Sequence, residues 1–172
     1  AGWTAHAAAV REQFSAGAWL ELLAPAIEAR GAAAQRLERS GAGAGVVVTT
    51  GQQPGLFGGP LYTLSKAIAA RALADALEAA TGMPVAPLFW AATDDADFAE
   101  ASTIRVAYAG RVHALAAAPT APEGTPMSAV PLGGDVAALL DRLGDACGSA
   151  ANAEVLALAR GAYHARATVG GA

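Results

Sequence analysis

The sequence predicts an α/β fold built on a parallel sheet, and three observations predict it. Val46, Val47, Val48 and Thr49 form a β-branched run without polar alternation, which suits a strand buried on both faces. A second apolar run over residues 84–90 carries Val85, Leu88, Phe89 and Trp90. Between the two lie a glycine-rich turn and a long helical pattern, so the order is strand, turn, helix, strand. A connection of that kind returns to the same sheet with its strands parallel and its crossover right-handed.

The elements follow in chain order. Residues 4–39 read as helix, with Val10, Phe14, Leu20, Leu22, Leu23, Ile27 and Leu37 at interrupted three-to-four spacing and Pro25 splitting or bending it. Glycines 41, 43 and 45 make an open connector. Residues 51–60 form the turn. A helix over 61–80 follows, its stripe made by Leu64, Ile68, Leu73 and Leu77, with Gly82 as its C-terminal cap. Pro84 and Pro87 weaken the second strand. After an acidic loop over 93–100, residues 103–108 and 111–117 alternate loosely around Ala109-Gly110 and read as a hairpin. Residues 119–134 hold four of the nine prolines and read as loop, with a short edge strand near Val130. Asp135 caps a helix to Leu143, and a last helix runs over 152–168. The resulting partition is a helical segment over 1–40 and a sheet-bearing domain over 41–172. The chain opens on Ala1 and stops at Gly171-Ala172 without a closing element, the expectation for part of a longer protein.

Composition narrows the function. With 54% hydrophobic and 15% charged residues among 172, the chain is no disordered polyelectrolyte. A net charge of −4 without a basic cluster argues against a nucleic-acid backbone or an anionic membrane as partner. No apolar run approaches the ~18–20 residues of a membrane span, and the first residues lack the basic-then-apolar pattern of a secretory signal, so they are not expected to be one. The single Cys147 can form neither an internal disulfide nor a thiolate metal site, which suits a cytoplasmic protein.

The chemistry concentrates where each strand is expected to end. Thr50, Gly51, Gln52, Gln53, Gly55, Leu56, Phe57, Gly59, Pro60 and Tyr62 sit where a strand feeds a helix, the place where open α/β sheets bind ligands. Glycine there lets backbone N–H groups approach an anion, and the start of the next helix favours one. Pro60 fits the first helical position. Gln52 and Gln53 add neutral amides that both donate and accept. A tight turn needing glycine for geometry alone is the plain alternative; two adjacent glutamines beside Leu56-Phe57 favour a binding site. The stretch is neither a Walker A loop nor a Gly-x-Gly-x-x-Gly fingerprint. Lys66, the only lysine, shares a helix face with Tyr62 and can reach back to the turn, although a solvated surface lysine reads the same way. Asp94, Asp95, Asp97 and Glu100 follow Trp90 and face the same crevice. They can hold an amine, ribose hydroxyls or hydrated Mg²⁺, or act as general base; a solvated loop with Asp95 or Asp97 capping a short helix is the alternative. No histidine joins them, so no transition-metal site is expected. His6, His113 and His164 are scattered, and no base stands near Cys147 in sequence.

Read together, Thr50-Gly51-Gln52-Gln53-Pro54-Gly55-Leu56-Phe57-Gly58-Gly59-Pro60-Leu61-Tyr62, then Lys66-Ala67-Ile68, resembles the bacillithiol biosynthesis cysteine-adding enzyme family, BshC. So do residues 84–90 and Asp94-Asp95-Ala96-Asp97-Phe98-Ala99-Glu100. The family pattern is Thr-Gly-Gln-Gln-x-Gly-Leu-Phe-x-Gly-Pro-x-Tyr, then Val-Phe-Trp and Glu-Asp-His-Asp-Phe-x-Glu. Ala96 therefore stands at the family's histidine and Asp94 at its first glutamate. The resemblance is close over residues 46–108. It implies a Rossmann-like core related to nucleotidyltransferases and class I tRNA synthetases, with flanking helices and a small hairpin. It also implies the final step of bacillithiol synthesis, in which cysteine is joined to the amine of glucosaminyl malate. Amide formation in water needs an activated carboxyl group, so a nucleotide such as ATP or ADP is chemically reasonable, the resemblance leaving the cofactor open. By position, residues 51–60 with Thr50, Tyr62, Lys66 and Trp90 would bind substrate and Asp94, Asp95 and Asp97 would stand opposite. Full-length members would be homodimers. Two other readings remain open: a nucleotidyltransferase-like domain that adenylates another carboxylate, and a segment that holds a ligand without turnover.

Overall fold

In the computed structural model, which describes residues 2–13, 18–147 and 152–172, both apolar runs are strands. β1 spans Val46–Gln52 and β2 spans Val85–Ala91, and the two form one sheet. Val46 N donates to the Pro84 carbonyl and Ala92 N to the Gln52 carbonyl, each at 3.0 Å. Both positions advance in the same direction, so the pairing is parallel and the expected α/β class is present. Neither strand is buried on both faces, however. β1 is half-buried with Thr49 exposed, and in β2 only Val85 and Ala86 are buried. A two-stranded sheet offers too little neighbouring structure to cover every side chain of such runs.

The chain divides into two compact units, Ala1–Gly51 with Ser65–Trp90, and Gln52–Leu64 with Ala91–Ala172. In the first, the described residues of the expected N-terminal helical run form α1 (Gly2–Gln13), α2 (Ala18–Leu23) and α3 (Gly31–Arg39). Pro25 sits in a 3-10 turn at Ala24–Ala26, which splits the run as expected; Phe14 lies outside the described residues. The connector is not open. Ser40 N donates to the carbonyls of Arg36 and Leu37, and that shared bond carries the coil into a wide turn over Ser40–Ala44. Arg36 fastens α3: its Nε donates to the Val85 carbonyl at 2.5 Å, and Nη2 lies 3.1 Å from Glu78 Oε2. Glu78 Oε2 in turn accepts from Val85 N at 3.2 Å.

The long helix α4 covers Leu61–Thr81, and Gly82 closes it as expected, its N–H donating to the Glu78 carbonyl at 2.9 Å. Its buried side is not the leucine stripe. Ala70 and Ala74 are buried, Ala74 completely, whereas Leu64, Ile68 and Leu73 are exposed, Ile68 at 59%. Alanine is spread over about two thirds of this helix's circumference, so spacing does not show which alanines pack, and the larger side chains dominate the pattern.

In the second unit, α5 (Phe98–Ala101) precedes the antiparallel hairpin of β3 (Thr103–Tyr108) and β4 (Arg111–Ala116), paired from Thr103↔Ala116 to Tyr108↔Arg111. Ala109 at φ 49° and Gly110 at φ 74° make the expected tight turn. α6 covers Val136–Cys147, longer than expected, and buries Val136, Leu139, Leu140 and Leu143 beside Leu115 and Met127. Asp135 stands immediately before it as expected, its carbonyl accepting from Leu139 N at 3.0 Å, and its carboxylate also accepts from Ala118 N at 3.2 Å. α7 spans Ala153–Ala162 and stops well before residue 168. The chain leaves the helix there because residues 167–169 bond across to 130–132: Leu132 N donates to the Ala167 carbonyl at 3.0 Å and Val169 N to the Val130 carbonyl at 2.9 Å. The expected edge strand near Val130 is this short antiparallel contact, Pro131↔Thr168.

If the alanine face of α4 is the packed one, Ala74→Leu should lower stability by about 1–3 kcal/mol through overpacking. Ile68→Ala should stay within about 0.5 kcal/mol. Urea unfolding of the chain checks both, and the reverse order would return the packed face to the leucine stripe.

Candidate functional site at the ends of the parallel strands

β1 runs through Gly51 and Gln52, so the turn begins at Gln53 and not at Gly51. Backbone pairing carries the strand this far, through the bond from Ala92 N to the Gln52 carbonyl. Glycine is required at 51 because a Cβ there would lie 2.8 Å from the Trp90 carbonyl oxygen. Thr50 is half-buried, and Trp90 is 58% exposed. Lys66 reaches back as expected, its Nζ 3.3 Å from the Gly51 carbonyl.

The second unit contains the turn and the acidic loop. Leu56–Gly58 form a 3-10 turn in which Leu56 is 2% exposed and anchors the loop in the core. Phe57, Gly58 and Gly59 are consecutive left-handed residues at φ 53°, 87° and 73°. Gly55 is fixed as glycine by close approach, since a Cβ there would meet Gly59 Cα at 2.7 Å. Pro60 immediately precedes α4, and its carbonyl accepts from Thr63 N at 2.9 Å. The anion cradle expected from the glycines is not open at two of them. Gly58 N donates to the Gly55 carbonyl at 3.0 Å and Gly59 N to the Leu56 carbonyl at 3.1 Å. Those two N–H groups are therefore engaged within the turn itself.

Gln53 supplies the decisive contact. Its Nε2 donates to Asp95 Oδ2, while Asp95 Oδ1 accepts from Asp97 N at 2.9 Å. Hydrogen bonds from the Asp97 backbone and the Gln53 amide hold the Asp95 carboxyl below its ordinary pKa of 3.8, against an opposing desolvation that exceeds only the further contribution of the Ala96 backbone. Asp95 is thus an oriented anion. Asp97 Oδ1 accepts from Glu100 N at 3.0 Å and caps α5, in line with the capping alternative. Asp94 is exposed. Gln52 Nε2 lies 3.4 Å from the Tyr62 hydroxyl. Among the described residues, no group of three His, Cys, Asp or Glu side chains is arranged to hold a metal ion.

Two supports carried no signal in the sequence. Met127 N donates to the Asp95 carbonyl at 2.8 Å and Ser128 N to the Thr93 carbonyl at 2.9 Å, so the proline-rich segment braces the acidic loop. Tyr163, at the end of α7, lies against the glycine turn, with its ring 4.8 Å from that of Phe57. Both contacts span long sequence separations, and local patterning is blind to them.

Comparison with known proteins agrees with the motifs. The family described as "Bacillithiol biosynthesis BshC, N-terminal Rossmann-like domain" matches residues 7–171. Similar curated proteins carry the name "Putative cysteine ligase BshC". One from Heliobacterium modesticaldum is 50% identical over 74 residues, 43% of this chain and 14% of the relative. One from Anoxybacillus flavithermus is 45% identical over 78 residues, 45% and 15% respectively. One from Solibacter usitatus is 52% identical over 61 residues, 36% and 12%. The matched stretch thus spans about a seventh of these relatives' length.

Two outcomes follow from the geometry. Because the folded pKa of Asp95 is depressed, its contribution is in place above pH 3.8 and is lost as pH falls through the lower folded value. A carboxyl-carbon NMR titration should place the midpoint below 3.8, and Gln53→Ala should move it upward. Gly55→Ala should cost about 1–3 kcal/mol in urea unfolding, since backbone must shift to admit the methyl.

Proposed function

Because the chain belongs to the family of N-terminal Rossmann-like domains of bacillithiol biosynthesis BshC, we propose that it supplies a substrate-holding wall for amide formation. The reaction joins the carboxyl group of cysteine to the amine of glucosaminyl malate, in the cytoplasm. The observation that carries this reading is the Gln53–Asp95 contact, which makes the end of β1 and the loop after β2 one polar surface within one unit.

The roles follow from what each group has left to offer. Asp95 is committed to Gln53 and to the Asp97 backbone, so it orients the Gln53 amide and is a poor proton acceptor. With its Nε2 held, Gln53 keeps a carbonyl oxygen that accepts from a substrate ammonium or hydroxyl. Gln52 lies beside it in sequence with the same chemistry. Asp94 is exposed, as Asp97 and Glu100 are, and takes the substrate amine; with Ala96 where the family has histidine, no imidazole is available next to it. Asp97 shapes the loop by capping α5. Condensation of a carboxylate with an amine in water requires activation, for which a nucleoside triphosphate is the fitting reagent class. The amides of Gly58 and Gly59 are already bonded, so its phosphates are assigned no place at that pair.

Isothermal titration with glucosaminyl malate, on the protein that carries this domain, tests the reading. Replacing Gln52 and Gln53 together by Ala should weaken binding at least about tenfold, equivalent to ~1.4 kcal/mol. Unchanged affinity would remove the substrate from this wall.

A further inference from the structure

We infer that Tyr163 is a positioning residue, whose hydroxyl clamps the glycine turn and thereby sets Gln53 against Asp95. The inference rests on the proposed function only for its consequence in substrate binding; the clamp itself is a matter of geometry. Tyr163 leaves the end of α7 at φ −90° and ψ 92° and is buried at 7% exposure. Its hydroxyl accepts from Gly58 N at 3.0 Å and donates to the Gly55 carbonyl at 3.2 Å. Both functions of the phenol are therefore used on two ends of one tight turn. The same Gly58 N–H and Gly55 carbonyl also bond each other at 3.0 Å, so the hydroxyl closes a three-membered network around the turn.

The ring contributes separately. It meets Phe57 edge-on at 4.8 Å with an interplanar angle of 61°, and Phe57 is the non-glycine residue held at φ 53°. A left-handed phenylalanine persists only where its surroundings over-determine it, and the ring of Tyr163 is part of those surroundings. Burial raises the phenol pKa above 10.0, so the hydroxyl keeps its proton to donate throughout the neutral range.

The segment after α7 braces the opposite side as well. Gly170 N donates to the Met127 carbonyl at 2.9 Å, and Met127 N donates to the Asp95 carbonyl at 2.8 Å. One stretch, residues 163–170, thus ties down the turn that bears Gln53 and the loop that bears Asp95.

Tyr163→Phe separates the hydroxyl from the ring. In the unsubstituted chain the Gly58 amide should exchange with solvent as slowly as the paired amides of β3 and β4. In Tyr163→Phe its exchange should quicken at least tenfold, with the hairpin amides unchanged. The Asp95 titration midpoint should rise toward 3.8 as Gln53 loses its setting. A freely exchanging Gly58 amide in the unsubstituted chain would overturn the clamp, as would unaltered exchange in Tyr163→Phe. Faster exchange with an unmoved Asp95 midpoint would also overturn it, because the turn would loosen without consequence for Gln53. These readouts need no ligand. Glucosaminyl malate affinity, expected to fall at least fivefold in Tyr163→Phe, is read separately: failure of the unsubstituted protein to bind it counts against the proposed function and leaves the clamp to the exchange and titration data.

Discussion

The contact between the Gln53 amide and the Asp95 carboxylate joins two stretches of chain that lie far apart in sequence. It exists because β1 and β2 are parallel. Parallel strands end at the same edge of a sheet, so the segments that leave them emerge side by side, and the bond from Ala92 N to the Gln52 carbonyl is the last rung before they diverge. A carboxylate held by two donors is then fixed in direction as well as charge. Everything assigned to the wall, including the division of labour among three aspartates, depends on that alignment.

The structure invests its supports unevenly. The acidic loop and the glycine turn are bonded to segments that carry no chemistry of their own, at Met127, Ser128 and Tyr163. A side chain that must meet a substrate in one geometry needs neighbours that lock it, and such neighbours are chosen for reach and shape. The glycine turn illustrates the trade. Its left-handed run lets the chain reverse within a few residues, yet the same geometry commits the N–H groups of Gly58 and Gly59 to internal carbonyls. A loop that looks like an anion cradle from composition is thereby a scaffold for the side chains that precede it.

Much of this was legible before the coordinates. The β-branched run at Val46, the Ala109-Gly110 reversal, the Gly82 stop and the split at Pro25 each rest on local backbone preference, and each is where it was expected. Other features were hidden for physical reasons. Hydrophobicity predicts burial on both faces of β1 and β2, but it reports what a residue can bury, whereas the actual covering depends on how many strands stand beside it. The packed side of α4 is obscured because alanine lies around most of it. The bond from Ala118 N to the Asp135 carboxylate joins segments that local patterning does not relate. Tyr163 carried no local signal at all, since its meaning arises from a pairing across more than half the chain. Among the candidate site residues, the sequence places glutamines after β1 and aspartates after β2, but which of them meet is decided by hydrogen-bond partners that spacing does not show.

The most direct test of the central claim is a double-mutant cycle on glucosaminyl malate affinity, combining Gln53→Ala with Asp95→Ala in the protein that carries this domain. If the two side chains act as one unit, removing the second costs little once the first is gone, and the double variant binds about as well as the weaker single one. Losses that multiply would show two independent groups and contradict the account.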